Sequence, residues 1–230
     1  RATTPITGIP LTLAAWFNSD ITSGRVIIGI GSSAASAGFT MGLSSGGSAL
    51  YAKTEAAGTA NQAITSVGYS AGTWYHGCAV FTSATLRDAY IDGGSSGTNT
   101  TSRTPASLDT TAVGIYIRNA VATSFMDGRI AYAGIWNVAL DTSEIAALAK
   151  GYHPKTIRRS ALKFCWDGVS SELVDQFGAP LTKTGTVNRA DSPRIIRGSQ
   201  GSARWLSVAA GGGGSVFTPY YFHQHIARAA

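Results

Sequence analysis

Short runs of β-branched and aromatic residues, each closed by Gly, Ser, Asn or Asp, follow one another from Pro10 to Trp136. Pro10–Phe17 alternates apolar and small side chains and stops at Asn18-Ser19-Asp20. Arg25–Ile30, Phe39–Leu43, Ala49–Lys53 and Gln62–Val67 come next, followed by Thr73–Phe81, Leu86–Ile91, Val113–Ile117 and Gly128–Trp136. A period of two between turn residues predicts an all-β, two-sheet antiparallel sandwich, because alternate side chains then face one buried layer. Leu86–Ile91 runs into Asp92-Gly93-Gly94, a turn in which glycine supplies positive φ.

One segment breaks the period. Asp141-Thr-Ser-Glu144 is a capping box, Ile145 and Leu148 share a face, and Lys150-Gly151 closes the pattern. This predicts one short helix, expected to plug an edge of the sandwich. After Pro154 the strand pattern resumes in Ala161–Trp166 and Leu181–Val187, and it fades from about residue 191. Ala209–Ser215 is a flexible linker by composition. The sequence therefore divides into a sandwich over 1–190 and a basic, Gly-rich and aromatic C-terminal extension over 191–230. The end of that extension carries Phe217, Tyr220, Tyr221, Phe222, His223 and His225. Aromatic surface beyond a flexible linker is costly to leave in water, so this tail is expected to dock on its own domain or on a neighbouring subunit.

Composition points outward. Hydrophobic residues make up 44% and charged residues 13%, about half the usual charged share, with 28 glycines. A surface of hydroxyls and small side chains is common in viral coat and exported β proteins and rare in cytosolic enzymes, so composition leans outward, toward an extracellular location. The net charge is +6, and basic residues gather at Lys155, Arg158, Arg159 and Lys163 and again at Arg189, Arg194, Arg197 and Arg204. Such charge attracts anionic partners. No aromatic stacking motif or nucleic-acid-binding signature accompanies it, so a solvated or subunit-facing segment is preferred to nucleic-acid binding. Cys78 and Cys165 sit inside apolar runs and are read as buried free thiols, a single bridge being the alternative. No apolar stretch has the length of a membrane span, and no signal-peptide pattern is visible.

Four of these segments carry a family resemblance. Pro10–Phe17, Gly72–Phe81, Ala89–Gly93 and Asp127–Asn137 with Ala139–Ile145 are similar, in order, to motifs of the concanavalin A-like, laminin-G-like jelly-roll domains. The packing of two sheets makes Trp16, Trp74 and Trp136 expected core anchors rather than sugar platforms. One departure is informative. Leu162–Gly168 and Val174–Gly185 resemble text that precedes the domain in the family, so the chain reads as permuted. That arrangement resembles the jelly rolls of bacteriophage structural proteins, which implies a virion protein.

The chemistry is mostly missing. Glucanases of this fold need two carboxylates about 5 Å apart on one strand face. Glu55 reads as a loop residue, Glu144 belongs to the capping box, and Glu172 sits in a turn, so no catalytic residue is assigned. His76 reads as structural, His153 precedes a proline in a loop, and His223 and His225 lack a third ligand in sequence. Relatives bind calcium through rim oxygens, for which Asn18, Asp20, Asp92, Asn119 and Asp127 are the candidates, and the same loops are candidates for glycan contact. The acidic pair expected at Ile130-Ala131-Tyr132 is absent, and turn formation explains the five residues, so calcium is a minor expectation and no metal is assigned.

The resulting expectation is a non-enzymatic structural or binding module: a phage virion decoration or accessory protein with a lectin-like fold, anchored through its C-terminal extension. Its expected partners are other virion subunits or further copies of itself, with glycans as ligands and no membrane. The alternatives are a free carbohydrate-binding lectin or a host-binding adhesin or tail-fibre domain, with a glycoside hydrolase behind them.

Overall fold

The computed structural model describes residues 1–168, 175–184 and 191–196. In chain order the strands begin with β1 (Ala2–Thr3), β2 (Leu11–Ser19), β3 (Arg25–Gly31), β4 (Gly38–Leu43) and β5 (Ala49–Ala56). They continue with β6 (Thr59–Gly68), β7 (Trp74–Ser83), β8 (Leu86–Ile91), β9 (Ser95–Asn99) and β10 (Thr110–Val113). A short hairpin of β11 (Tyr116–Arg118) and β12 (Val121–Thr123) precedes β13 (Gly128–Trp136), helix α1 (Thr142–Ala149), a 3-10 turn at Pro154–Thr156 and β14 (Leu162–Trp166).

Two six-stranded antiparallel sheets result. Sheet A runs β1-β10-β3-β4-β5-β6 and sheet B runs β14-β13-β2-β7-β8-β9. The alternation in β2 shows how the sequence selects this arrangement. Leu11, Leu13, Ala15 and Phe17 enter the layer between the sheets, where Ile28, Ile30, Phe39, Met41, Phe81 and Ile135 meet them. Phe39 and Phe81 pack across the layer with ring centroids 5.0 Å apart. The jelly-roll sandwich and, among the described residues, its single α-helix are thus as the pattern predicts.

Three local expectations need correction. First, the run Val113–Ile117 is not one strand. It breaks at Gly114 (φ 74°), leaving Val113 in sheet A and sending Tyr116 into a hairpin that lies over the outer face of that sheet. Gly31 admits this hairpin, since a Cβ there would collide with the Ile117 carbonyl. Second, α1 covers the outer face of sheet B instead of plugging an edge. Ile145 and Leu148 pack with Ala14, Cys78, Val80 and Trp136 in a separate apolar cluster. The capping box forms as predicted, with Asp141 accepting from the Glu144 N–H and Glu144 from the Asp141 N–H. Third, Trp136 is fully buried, but beneath the helix and not between the sheets, while Trp16 and Trp74 are only half-buried.

The segment beyond the helix completes sheet B, because β14 pairs with β13 at its edge. Residues 181–184 of the expected second strand are not in a strand. Thr182 and Arg1 instead exchange two backbone hydrogen bonds of 2.7 Å, which tie the N-terminus to the late segment. Among the described residues, no helix is long and apolar enough to cross a membrane.

Candidate functional site

One ion-paired cluster of the described residues lies on the outer face of sheet A. Pairing in β5 turns Leu50 and Ala52 inward, so Tyr51, Lys53 and Glu55 face out. Glu55 was expected in a loop. It stands in a strand and is only 3% exposed, because the β11–β12 hairpin brings Tyr116 and Arg118 over it. The Tyr116 hydroxyl donates to Glu55 Oε2 at 2.7 Å, and Lys53 Nζ lies 3.3 Å from the same oxygen. Lys53 Nζ also sits 4.0 Å from the centre of the Tyr116 ring, a cation–π contact. Arg118 Nε is 3.2 Å from Glu55 Oε1, close enough for charge pairing but not aligned as a hydrogen bond, since it donates to Ser36 Oγ at 2.9 Å.

These contacts set the protonation state. Burial alone raises the Glu55 carboxyl, but the Tyr116 hydrogen bond and the Lys53 and Arg118 charges outweigh it, and the net shift is downward. Tyr116 is pushed up by burial and by donating to Glu55, and Tyr51 is pushed up by burial and the Glu55 charge. A glycosidase general acid needs the opposite, a carboxyl raised toward neutral pH. Tyr116, for its part, holds its proton and donates it to a fixed hydrogen bond. The arrangement favours fixed hydrogen bonding over proton transfer.

The five rim residues do not gather. Asn18, Asp20 and Asp127 meet where β2 ends and β13 begins. Asn18 is buried in β2, not in a loop, and its Nδ2 donates to the Gly72 carbonyl at 3.0 Å. The Asp127 carbonyl accepts from the Asp20 N–H at 2.9 Å, and Asp20 pairs with Arg129 at 3.8 Å. Asp92 (φ 49°) lies elsewhere, in the β8–β9 turn, where its carboxylate accepts from the His76 N–H at 2.8 Å. The adjoining Gly93 packs under α1, and a Cβ there would come within 2.9 Å of Ala149. Asn119 (φ 48°) forms the hairpin tip and donates to Ser36 Oγ at 3.0 Å. Phe217, Tyr220, Tyr221, Phe222, His223 and His225 lie outside the described residues, as does Glu172.

Sequence reading missed one cluster. His153, Cys165 and Asp167 are buried together, with their donor atoms within 4.8 Å of one another. His153 is not a loose loop residue: its Nδ1 accepts from the Lys155 N–H at 3.1 Å, capping the 3-10 turn. That contact leaves the ring proton on Nε2, which faces Asp167 Oδ1 at 3.1 Å. A metal at Nε2 would need the lone pair there and move the ring's one proton to Nδ1, against the Lys155 N–H, so the trio fits a hydrogen-bonded pin better than a metal centre. It holds the late segment in place, for Gln176 donates to Asp167 Oδ2 at 3.2 Å and through its backbone to the Cys165 carbonyl at 2.7 Å. Both cysteines are free and buried, and burial pushes both thiols up. The signal in sequence was slight: a His-Pro step and a Cys-x-Asp at the end of an apolar run.

Comparison with known proteins agrees with this architecture. The family model described as the concanavalin A-like lectin/glucanases superfamily matches residues 2–146, more than half of the chain. Among solved structures, a putative carbohydrate binding protein from Bacteroides ovatus is similar over 85% of this chain and 58% of its own, with 15% identity and a TM-score of 0.60. A native heptameric SAP-like pentraxin from Limulus polyphemus is similar over 64% of this chain and 72% of its own (17% identity, TM-score 0.53). Domain 4 of an extracellular arabinanase from Geobacillus stearothermophilus, solved in complex with arabinotriose, covers 64% of this chain and 70% of its own (15% identity, TM-score 0.51). No curated protein sequence matches the chain.

Proposed function

The chain belongs to the concanavalin A-like lectin/glucanases superfamily, and on that premise we propose that it is a non-enzymatic glycan-binding module that serves as a decoration or accessory protein of a virion. The observation that carries the non-enzymatic reading is the state of Glu55. It is the one glutamate on a sheet face among the described residues, and Tyr116, Lys53 and Arg118 hold it ionised. Among the described residues no second carboxylate shares its ion pairs, which argues against the two-acid arrangement of a glycosidase there. Four further acids of the described residues serve structure: Asp141 and Glu144 cap α1, Asp92 holds the β8 turn, and Asp109 binds Ser33.

Glycan binding draws support from two of the similar structures, one described as carbohydrate binding and one solved with arabinotriose. The virion role draws support from the order of the segments, with β14 supplied from beyond the helix, and from the aromatic and basic composition of 191–230. In this reading the extension fastens the body to other subunits or to sister copies, outside the cell. Ordering of the tail offsets part of the affinity gained from its aromatics. The reading assigns no cofactor. Calcium near Asn18, Asp20 and Asp127 would be an addition to it.

The test uses the full chain on an array of neutral and acidic oligosaccharides, with chromatography of the same mixtures for products. Retention of at least one oligosaccharide without new reducing ends is the expected result. Time-dependent cleavage that is lost in Glu55→Gln would overturn the non-enzymatic reading, and no retention on any glycan would overturn the binding one. For anchoring, sedimentation of the full chain is compared with a chain lacking 211–230. Loss of higher assembly on truncation is expected, and unchanged assembly removes the tail as fastener.

A further inference from the structure

The segment between β9 and β10 crosses from sheet B to sheet A, and it sets its own Arg103 over Arg87 of β8. Arg87 on β8 is 1% exposed and shares the inward parity of Ala89 and Ile91. Its Nη1 donates to Asn99 Oδ1 at 2.6 Å, and its Nη2 donates to the carbonyls of Thr101 at 2.6 Å and Ala84 at 3.1 Å. The buried Nε has no hydrogen-bond partner. Arg103 is held against the same place, since its backbone N–H donates to that Ala84 carbonyl at 2.9 Å and its Nε donates to Asn61 Oδ1 at 2.9 Å.

Every one of these acceptors is neutral. Among the described residues neither arginine has an ion pair. Taking a guanidinium out of water costs several kcal/mol unless an opposite charge compensates it, and a second guanidinium beside it adds to the cost. Burial and the Arg103 charge accordingly both push Arg87 down. Stapling of three oxygens explains the hydrogen bonds of Arg87, but it does not explain an uncompensated pair of positive charges. Asp88, next to Arg87 in sequence, does not serve it and accepts from Thr98 Oγ1 at 2.5 Å, and Glu55 is taken by Lys53, Tyr116 and Arg118.

The side that faces solvent is Arg103. It is partly exposed, its Nη nitrogens carry no hydrogen bond among the described residues, and Thr101, Ser102 and Thr104 beside it are exposed. A guanidinium edge with two free nitrogens matches a planar carboxylate or a sulfate oxygen pair, and the flanking hydroxyls match sugar hydroxyls. We propose that Arg103, backed by the buried Arg87, forms an anion subsite for the carboxylate or sulfate group of an acidic saccharide. This rests on the glycan-binding reading and narrows it to acidic ligands. Arg103 makes the contact. Arg87 acts as a positioning residue, fixing the crossover through Ala84 and Thr101 and supplying charge from behind.

The test titrates the full chain with a uronic-acid oligosaccharide, with its neutral methyl ester and with inorganic sulfate at low ionic strength, in the wild type, in Arg103→Gln and in Arg87→Lys. The expected result is acid-form binding at least about tenfold tighter than the ester, reduced about tenfold in Arg103→Gln. Sulfate is expected to raise the wild-type melting temperature and to leave that of Arg103→Gln unmoved. Arg87→Lys, which keeps charge but not the three-acceptor geometry, is expected to weaken the acid form while the ester is unaffected. Equal binding of ester and acid, or an Arg103→Gln variant that keeps the acid preference, overturns the subsite and leaves glycan binding standing. A sulfate response that needs Arg103, with no saccharide bound in any form, keeps the anion subsite and overturns the glycan reading.

Discussion

The two sheets carry coverings of opposite character on their outer faces. Sheet B is roofed by α1 through Trp136, Ile145, Leu148 and both thiols, an apolar seal with a single indole hydrogen bond, from Trp136 Nε1 to the Ile157 carbonyl at 2.9 Å. Sheet A is roofed by the β11–β12 hairpin, which rests on a small apolar patch of Ala112, Ile115 and Ile117 and then closes over an ion-paired cluster around Glu55. A seal made of dispersion and burial is insensitive to salt and weakly sensitive to pH. One made of charges responds to both. The difference leaves the outer face of sheet A with an ion-paired cluster that can respond to salt and pH, while the outer face of sheet B is committed to holding the body together.

Three measurements sharpen or break this contrast. The largest effect is expected from Trp136→Ala, which opens a cavity beneath the helix. Urea unfolding should show a loss of about 4 kcal/mol, as for other buried aromatics cut to alanine, and a loss under about 1 kcal/mol would mean the helix is not a seal. The second concerns His76, buried on the sheet B side against Trp16 with ring centroids 5.5 Å apart. Burial pushes its imidazole down to about 3, well below the ordinary value near 6.5. The unfolded chain therefore binds a proton that the folded one refuses. Its contribution is complete above pH ~6.5 and drains away as pH falls toward 3, costing about 2 kcal/mol by pH 5. That slope should flatten in His76→Gln, and an unchanged slope between pH 6.5 and 5 would place the titration elsewhere.

The smallest effect is expected on sheet A. Glu55→Gln keeps the shape but leaves Lys53 and Arg118 without their counter-charge. A loss of about 1 kcal/mol is expected at neutral pH, less than for a fully buried pair because Arg118 is 46% exposed. Since the folded carboxyl is held below its ordinary range, the Glu55 contribution is present above about pH 4.3 and is lost as pH falls through its folded value. Wild type and variant should therefore converge in acid. Divergence there, or a difference insensitive to 1 M salt, would show the hairpin to be held by its apolar patch alone.

Much of the sandwich was legible because β2, β7, β8 and β13 write their inward face as every second residue. The capping box of α1 was equally plain, but its destination was not, since Ile145 and Leu148 define a face without saying what it meets. β9 was invisible: Ser95-Ser-Gly-Thr-Asn99 contains no large apolar residue, and only its pairing to β8 makes it a strand. The charged cluster was hidden for a different reason. Tyr116 lies 61 positions from Glu55, and the break at Gly114 that brings them together is one glycine inside an apolar run. Arg87 and Arg103 read as ordinary surface charges until the crossover buried the first and set the second over it.

The paired hydrogen bonds between Arg1 and Thr182 make the beginning and a late stretch of the chain a continuous seam. The same sheets would be reached from a reading frame cut at β13 and rejoined at that seam, because what fixes β14 is its neighbour and not its turn in translation. Gene order and spatial order are here independent variables. The order in which the strands are written can therefore change with the layers themselves left untouched.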